Sequence, residues 1–545
     1  MLNAILPAFL FAVLALTLID NFTYTVFKFG IITSSGIWRA AYALLFSSFF
    51  IYFLKTINLQ FQKKSKKTSP TPIIFILLLI TTSIITAIFR IPGFQFEQLY
   101  NSNSAPKTLT EKPNIILLGI DGVNAANLSV YGYEKDTTPN ITRLAKNALI
   151  IENAFSNAGR TGGSLTSLLT GKDPITTKVI YPPDILMGQD AYQHLPGILK
   201  QVGYHTVQIT DPFFGDAYSR NLKNGFDIAN FRSENTKLVL DQFTQQGSEG
   251  SLYLVASIAR RSIERIEHIF YVNEMINPYQ VVTTPVTEDM TQDRYLKMID
   301  ALKTTDGPIF LHFHMLNTHG PTFSPRNKIF SSGETQDKSW MPDFYDDAIL
   351  DSDEYVNNLF DYLEKSGKID NTLVILYSDH GMEWDATKKV PLIIWFPKNR
   401  YTGRVKENVQ LLDIAPTILD YLKLPVPIWM SGQSILTNTL SSKQPIFSAS
   451  ATDDLIEGNE LDQTKIAPPF YQLGNASMII CNHWYSLYLS KPALTSGTIT
   501  DSTASCNQDA IPSPQKAEEL ILQHLKQNGY DISSYPKGIR TTFQP

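Results

Sequence analysis

The chain has 545 residues, 43% of them hydrophobic, enough to bury a large core and to fill two or more domains. Its formal net charge of −5 is too mild, and of the wrong sign, for a nucleic-acid partner. The hydrophobic residues are not evenly spread, and the first ninety or so residues hold three apolar runs.

Leu2–Ile19 carries no charge and is followed at once by Asp20; Ala40–Leu54 lies between Arg39 and Lys55; Pro72–Phe89 ends at Arg90. A membrane-spanning helix needs about 20 apolar residues. The first and third runs meet that length, and the second does so only with its flanks. A cleaved signal peptide does not fit the first run, which lacks a positive leading segment and an A-x-A-like site and precedes two further runs. The basic loop Lys55–Thr71 places itself in the cytoplasm by the positive-inside rule. The expected organisation is a membrane domain of about three transmembrane helices over residues 1–91, a Pro-, Asn- and Ser-rich linker over 92–112, and an extracytoplasmic domain over 113–545. Cys481 and Cys506 both fall in the outer part, where an oxidising compartment allows a disulfide; two buried thiols are the alternative.

Beyond the linker, "NIILLGID" (Asn114–Asp121), "PIFLHFHML" (Pro308–Leu316), "TLVILYSDHG" (Thr372–Gly381) and "VPLIIWFP" (Val390–Pro397) are continuous apolar runs. Strands without polar alternation are buried on both faces, which predicts a mainly parallel sheet covered by helices. Helical patterns lie between them, at Asn140–Ile150 and Asp346–Gly367, the latter closing on a glycine suited to a C-terminal cap. The fold class is therefore α/β. The segment 234–306 contains an amphipathic stretch, "LVASIARRSIERIEHIFYV", read as a packed helix. A turn-rich C-terminal subregion from about 448 contains one probable strand, "CNHWYSLYLS".

Ligand sites in open α/β sheets form beyond the carboxyl ends of strands. Two buried runs end in such groups: Asp121 after "IILLGI", and Asp379 with His380 after "LVILYS". Carboxylate and imidazole together can hold one divalent cation. Thr161 lies in a glycine-rich turn, "GRTGGS", ahead of a helical stretch whose first N–H groups can receive an anion. A threonine hydroxyl becomes a nucleophile when a metal favours its alkoxide. His319 lies past a strand end, where it can reach a substrate oxygen or a metal, while His312 and His314 alternate along the strand and share a face that either packs or serves the site. His205 follows a Gly-Tyr turn and is a remote candidate.

The ordered set "PNIILLGIDG", "TTPNITRLA", Thr161 with "SLLTG", "THGP", "YDDAILDSDEYV", "NTLVILYSDHG", "KVPLIIWFP" and "LLDIAPTILDYLKLP" resembles the sulfatase-like branch of the alkaline phosphatase superfamily, from about Pro113 to Gly432. Within it, "LHFHMLNTHGPTF" followed by "YDDAIL" looks most like the membrane-anchored phosphoethanolamine transferases, with lipoteichoic acid synthases sharing the plan. Sulfatases place a cysteine, oxidised to formylglycine, seven residues before the first Leu of "LLTG"; counting back from Leu168 gives Thr161. That conversion needs cysteine or serine, so the resemblance implies phosphoryl-type transfer. It also implies Asp121, Thr161, Asp379 and His380 as ligands of a divalent metal, zinc before manganese, with Thr161 and His319 as the catalytic pair.

The expectation is an inner-membrane enzyme, its catalytic domain in the periplasm, moving a phospholipid head group through Thr161 to an envelope lipid or glycan. A phosphodiester hydrolase and a non-catalytic lipid-binding regulator are the alternatives. Two departures bear on the choice. Aspartate stands at position 121, where the envelope transferases have glutamate. Only "MEWDATKK" separates Gly381 from "VPLII", where relatives carry a longer segment with a further histidine or lysine. Lys388 or Lys389 is the available substitute for a lysine, and Glu383 an added carboxylate.

Overall fold

The computed structural model describes residues 2–27, 31, 37–63, 112–233 and 288–544, less 183, 212–213, 231, 452–455, 458–459, 462–467, 491, 505, 534 and 537–539. The chain divides into two compact units, residues 1–101 with 235–281 and residues 102–234 with 282–545.

In the first unit, α1 (Leu2–Phe27) and α2 (Ile37–Lys63) pack through Ala12, Val13, Leu16, Tyr42 and Phe46. Asp20 is buried, where its carboxylate accepts the Ile31 amide at 2.6 Å, so helix α1 runs straight through the charge that ends its apolar run. Leu6, Leu10, Leu18, Phe22 and Leu44 stay largely exposed, an apolar outer face. Among the described residues one helical stretch, Ala40–Gln60, is long and apolar enough to cross a membrane, and Ala4–Asp20 falls short. The weighting from sequence is thus reversed, because α2 continues beyond Lys55 and gains the length that its apolar run lacks. The third run, the linker up to Glu111 and the amphipathic stretch of 254–272 lie outside the described residues.

The second unit is built on a ten-stranded sheet in the order β10-β2-β9-β7-β1-β6-β3-β4-β5, with β8 also paired to β2. In chain order its elements are β1 (Asn114–Ile120), α3 (Pro139–Leu144), β2 (Leu149–Phe155), α4 (Thr161–Thr170), α5 (Leu195–Gln201), β3 (His205–Ile209), β4 (Ile228–Ala229), β5 (Arg232–Ser233), α6 (Glu288–Thr304), β6 (Ile309–Met315), α7 (Pro342–Lys365), β7 (Thr372–Ser378), β8 (Lys389–Val390), β9 (Leu392–Trp395), β10 (Gly403–Gln410) and α8 (Ile414–Tyr421). The central strands β1, β6 and β7 are buried at every position and pair in parallel. Burial of both faces is what their unbroken apolar runs require.

Strand β9 departs from the parallel expectation, running antiparallel to both β7 and β2. The chain returns from β7 through the short "MEWDATKK" segment, which cannot hold the helical crossover that a parallel neighbour needs. The predicted helix at Asn140–Ile150 is also shortened. It ends as a single 3-10 turn at Ala145–Asn147, and Leu149 and Ile150 open β2. Helix α7 buries Phe344, Ile349, Val356, Leu359 and Leu363 and ends before Gly367, whose φ of +68° suits the expected C-terminal cap.

The C-terminal region forms a second sheet, β11 (Ile446–Ala451), β14 (Leu473–Ile480), β15 (His483–Tyr488), β16 (Ala493–Thr498) and β17 (Arg540–Gln544), beside a small β12–β13 hairpin (Ile456–Glu457 and Glu460–Leu461). Helix α9 (Pro514–Gln527) covers it with Ala517, Ile521 and Leu525. Cys481 and Cys506, 25 residues apart, are bridged.

Burial also determines how α5 begins. His194 caps it by accepting the Gly197 amide at 3.0 Å on Nδ1, and its ring is buried against Gly197 and Gly225. Burial pushes the imidazole down to about 4. A histidine depressed in the folded state stabilises fully above its unfolded value near 6.5 and loses that contribution as pH falls towards 4. Urea unfolding is expected to show stability falling between these values, by up to about 1.4 kcal/mol per pH unit from this group. His194→Asn, which still caps and does not titrate, should flatten that part of the profile.

Candidate active site

The site forms where β1, β7 and the start of α4 converge. Asp121 directly follows β1 and Asp379 directly follows β7; the parallel register that aligns Gly119 with Tyr377 and Ile120 with Ser378 brings the two acids level. Thr161 is the first residue of α4, a helix buried along its whole length, and Arg160 precedes it in extended conformation. Thr161 Oγ1 lies 3.4 Å from Asp121 Oδ2 and 3.3 Å from His380 Nε2. His380 Nε2 is 3.4 Å from Asp379 Oδ2 and 3.9 Å from Asp121 Oδ1. The four residues singled out as metal ligands in the sequence therefore form one buried cluster.

Each is fixed by the backbone around it. Asp379 Oδ1 accepts the Gly122 and His380 amides, both at 3.0 Å. The Asp379 carbonyl accepts the hydroxyls of Ser156 and Ser164, both at 2.6 Å. Ser378 Oγ accepts the Val123 amide at 2.7 Å, and Tyr345 donates to the Gly122 carbonyl at 2.9 Å. His380 Nδ1 lies 3.0 Å from the Gly381 carbonyl, which assigns a ring proton to Nδ1 and turns Nε2 towards Thr161.

His314 joins this cluster, from the middle of β6. Its Nε2 is 3.3 Å from Asp121 Oδ2 and 3.7 Å from Asp379 Oδ2. His312, on the same face, is occupied differently: its Nε2 bonds Tyr377 Oη at 2.7 Å and its Nδ1 lies 3.3 Å from Gln208 Nε2. The shared face that sequence left undecided thus splits into one packed histidine and one at the site. Gly119 makes room for them, since a Cβ there would stand 2.2 Å from His314 Nδ1 and 2.9 Å from the Tyr377 ring.

The electrostatics follow from this crowding. Burial opposes ionisation of Asp121, but the imidazoles of His319, His314 and His380 together hold it well below the usual carboxylate range. Burial works against a charged His314, yet Asp379 and Asp121 raise it above its ordinary value. Asp379 Oδ2 is buried and accepts no hydrogen bond. Asp121, His314 and Asp379 can converge their ligand atoms within 4.8 Å of one another. An unbonded buried carboxylate oxygen facing nitrogen donors is a cation's position, so the residues fit the divalent metal that the fold family uses.

His319 is half-buried and follows the end of β6 by four residues. His205 stands at the opposite, N-terminal end of β3 and faces Asp227 at 3.4 Å. Lys389 Nζ donates to the Asp501 carbonyl at 2.6 Å, while Lys388 and Glu383 are exposed. None of the three enters the cluster by any described contact. The sequence reading left His314 open and did not single out Arg160. His314 carried a signal, its shared face with His312, but only packing separates their roles. Arg160 carried none; its guanidinium lies 4.0 Å from the Trp384 ring centre.

Such an arrangement, a parallel α/β sheet with a hydroxyl at a helix start inside a cluster of carboxylates and imidazoles, has the groups that metal-assisted ester hydrolysis uses. A sulfatase family model matches residues 113–424, and the chain belongs to that family, within the alkaline phosphatase superfamily. It is 23% identical to the N-acetylglucosamine-6-O-sulfatase of Bacteroides thetaiotaomicron, over 60% of this chain and 71% of that protein. It is 24% identical to the human N-acetylgalactosamine-6-sulfatase, over 62% of this chain and 68% of that one. Among solved structures, the phosphonate monoester hydrolase of Agrobacterium radiobacter shares the fold with a TM-score of 0.52 at 17% identity, covering 76% of this chain and 96% of that one. These relatives are sulfatases and hydrolases; the transferase branch that the motifs resemble is not among them.

Because Gly119 faces two rings, Gly119→Ala must displace His314 or Tyr377 within a packed layer. The expected loss is about 2 kcal/mol, the usual cost of overpacking, read as a lowered urea midpoint with unchanged slope.

Proposed function

We propose that the chain is a metal-dependent phosphoesterase that uses Thr161 as its nucleophile. One observation carries this reading: Thr161 Oγ1 stands at a helix start, 3.3 Å from His380 Nε2 and 3.4 Å from Asp121 Oδ2, in a cluster with an unbonded carboxylate oxygen. Family membership supports ester hydrolysis. A threonine cannot become the formylglycine of a sulfatase, which favours phosphorus over sulfur as the reacting centre.

A divalent cation held by Asp121, Asp379, His380 and Thr161 would neutralise the phosphoryl oxygens and favour the alkoxide. With such a cation bound, the Thr161 hydroxyl would give up its proton to solvent. Thr161 Oγ1 then bonds to phosphorus while the bond to one alcohol breaks, and His319 gives that alcohol its proton. The resulting phosphothreonine diester is opened by water, whose proton returns to His319 as the bond from phosphorus to Thr161 breaks. The amides of Gly162 and Gly163 precede the first bond of α4, from Ser164 N to the Arg160 carbonyl, and can bind a non-bridging oxygen.

The transfer reading is favoured by a separate observation, the membrane-length stretch Ala40–Gln60 with its exposed apolar neighbours. There an acceptor hydroxyl of an envelope lipid or glycan takes the place of water, and a membrane phospholipid is the donor. The protein would then be anchored in the plasma membrane with its catalytic unit outside, where the Cys481–Cys506 bridge fits an oxidising compartment.

Purified protein incubated with zinc or manganese, a nitrophenyl phosphodiester and labelled phospholipid tests both readings. Thr161→Ala should lose about 10³-fold or more in turnover, and intact mass should show a phosphoryl adduct on the Thr161 peptide of the parent protein alone. Release of free head-group phosphate assigns hydrolysis; label on an added lipid or glycan assigns transfer. Neither adduct nor turnover with metal bound overturns catalysis in favour of the lipid-binding relative.

A further inference from the structure

The geometry points to His314 as a direct ligand of the site's metal, delivered from inside the sheet, and to this second imidazole as the group that makes the site select a transition metal over calcium or magnesium. The inference rests on the metal-dependent reading above and deepens it.

Four observations carry it. First, His314 Nε2 stands between both acids, 3.3 Å from Asp121 Oδ2 and 3.7 Å from Asp379 Oδ2. These separations, with 3.4 Å from His380 Nε2 to Asp379 Oδ2 and 3.3 Å from Thr161 Oγ1 to His380 Nε2, are long for good hydrogen bonds. They match the spacing of neighbouring ligand atoms around one ion with bonds of about 2.0–2.3 Å. Second, Asp379 Oδ2 is fully buried, faces both imidazoles and accepts no hydrogen bond. An ionised oxygen left so is costly unless a cation occupies the gap.

Third, the ring of His314 is held for this task. Gly119 opposite it leaves space that any side chain would close, and Tyr377 stacks on it with ring centres 6.4 Å apart. Tyr377 is itself pinned by His312 at 2.7 Å, and Gln208 steadies His312 while donating to the Gly215 carbonyl at 3.1 Å and accepting the Ala217 amide at 2.7 Å. Fourth, His314 is fully buried, so it contributes nothing to solubility, and an imidazole so placed is costly unless it has a partner.

The donor set then becomes two carboxylates, two imidazoles and one hydroxyl. Carboxylate and hydroxyl oxygens alone suit magnesium, calcium or manganese, whereas paired imidazoles shift preference towards zinc, cobalt and nickel. His314 therefore sets which ion the site retains, while Thr161 and His319 keep their places in the reaction.

The test is metal binding by the full chain, read apart from activity. Competition with a chelator is expected to show His314→Gln losing zinc and cobalt affinity by at least about 100-fold, the upper range for removal of even an outer-shell partner. Magnesium and calcium affinity should change little, and His312→Gln should leave zinc affinity near that of the parent. In the cobalt-loaded parent protein, two paramagnetically shifted imidazole N–H resonances are expected, falling to one in His314→Gln. Because the parent spectrum alone counts the imidazoles, the proposal stays decidable if the variant does not fold. A single shifted imidazole in the parent, or unchanged zinc affinity in folded His314→Gln, overturns the role of His314 and leaves the phosphoesterase reading intact. A parent protein that binds no divalent cation overturns both.

Discussion

The main chain of Asp379 is the point on which the arrangement depends. Its carbonyl takes the hydroxyls of Ser156, just after β2, and Ser164, in the first turn of α4. Its carboxylate takes the Gly122 amide from the turn after β1. One residue thus ties the end of β7 to the two other elements that carry chemistry, and so sets the distance from Thr161 to Asp121. The hydroxyl pair is buried, where losing both partners would leave an unsatisfied carbonyl at a cost of about 1–3 kcal/mol. The geometric consequence is larger, since misplacing a nucleophile by about 1 Å can cost 10²-fold in rate. Two of this residue's three oxygens, the carbonyl and Oδ1, are satisfied by protein donors, which leaves Oδ2 as the one directed at the imidazoles.

A second group of acids does unrelated work. In "YDDAILDSDEYV", Asp347 accepts the amides of Ile329, Phe330 and Ser331, and Asp353 accepts those of Asn140 and Ile141. Asp346 binds Tyr133 and Lys135, and Asp351 accepts the Arg326 amide. These carboxylates replace missing secondary-structure partners for loops that cross the face of α7. Burial pushes Asp351 and Asp353 up to about 6, because the amides only partly offset the loss of water. The same segment contributed to the family resemblance, yet its acids fix the frame and make no described contact with the cluster of Asp121, Thr161, Asp379 and His380. A resemblance carried by motifs can mark scaffold as readily as chemistry.

What sequence could reveal follows the same division. Asp121, Asp379 and His380 were legible because each closes an apolar run, and a buried strand ending on a charge has few structural explanations. Thr161 was legible through its spacing to Leu168. His314 was not, because alternation places it with His312 on one face and only the gap at Gly119 on the neighbouring strand decides which ring reaches the acids. The direction of β9 was hidden for a related reason: its apolar run matches a parallel strand, and the decisive fact is the length of the return from β7. The second sheet was hardly visible, since β11, β14 and β16 are rich in Ser, Ala, Thr and Gly and gain their burial from α9 and from one another. At the N-terminus, apolar length was measured on runs, whereas the helix itself extends through polar flanks.

The short segment after Gly381 marks the clearest departure from the motifs, and the structure gives it content. Glu383 and Trp384 both hold left-handed backbone, with φ of 59° and 61°, a conformation that costs side chains about 1–3 kcal/mol each unless contacts hold it. The contacts are present: Arg160 lies 4.0 Å over the Trp384 ring, and Trp340 meets that ring edge-on at 5.2 Å. Trp340 in turn fills the space beside Gly320, next to His319, where a Cβ would stand 2.0 Å from its ring. The shortened loop therefore binds the residue before the nucleophile to the residue after the proposed proton donor. A longer loop would bring a further ligand into the site from the solvent side. Here an aromatic and cationic clasp occupies the segment, and the proposed extra nitrogen comes through the sheet, on His314.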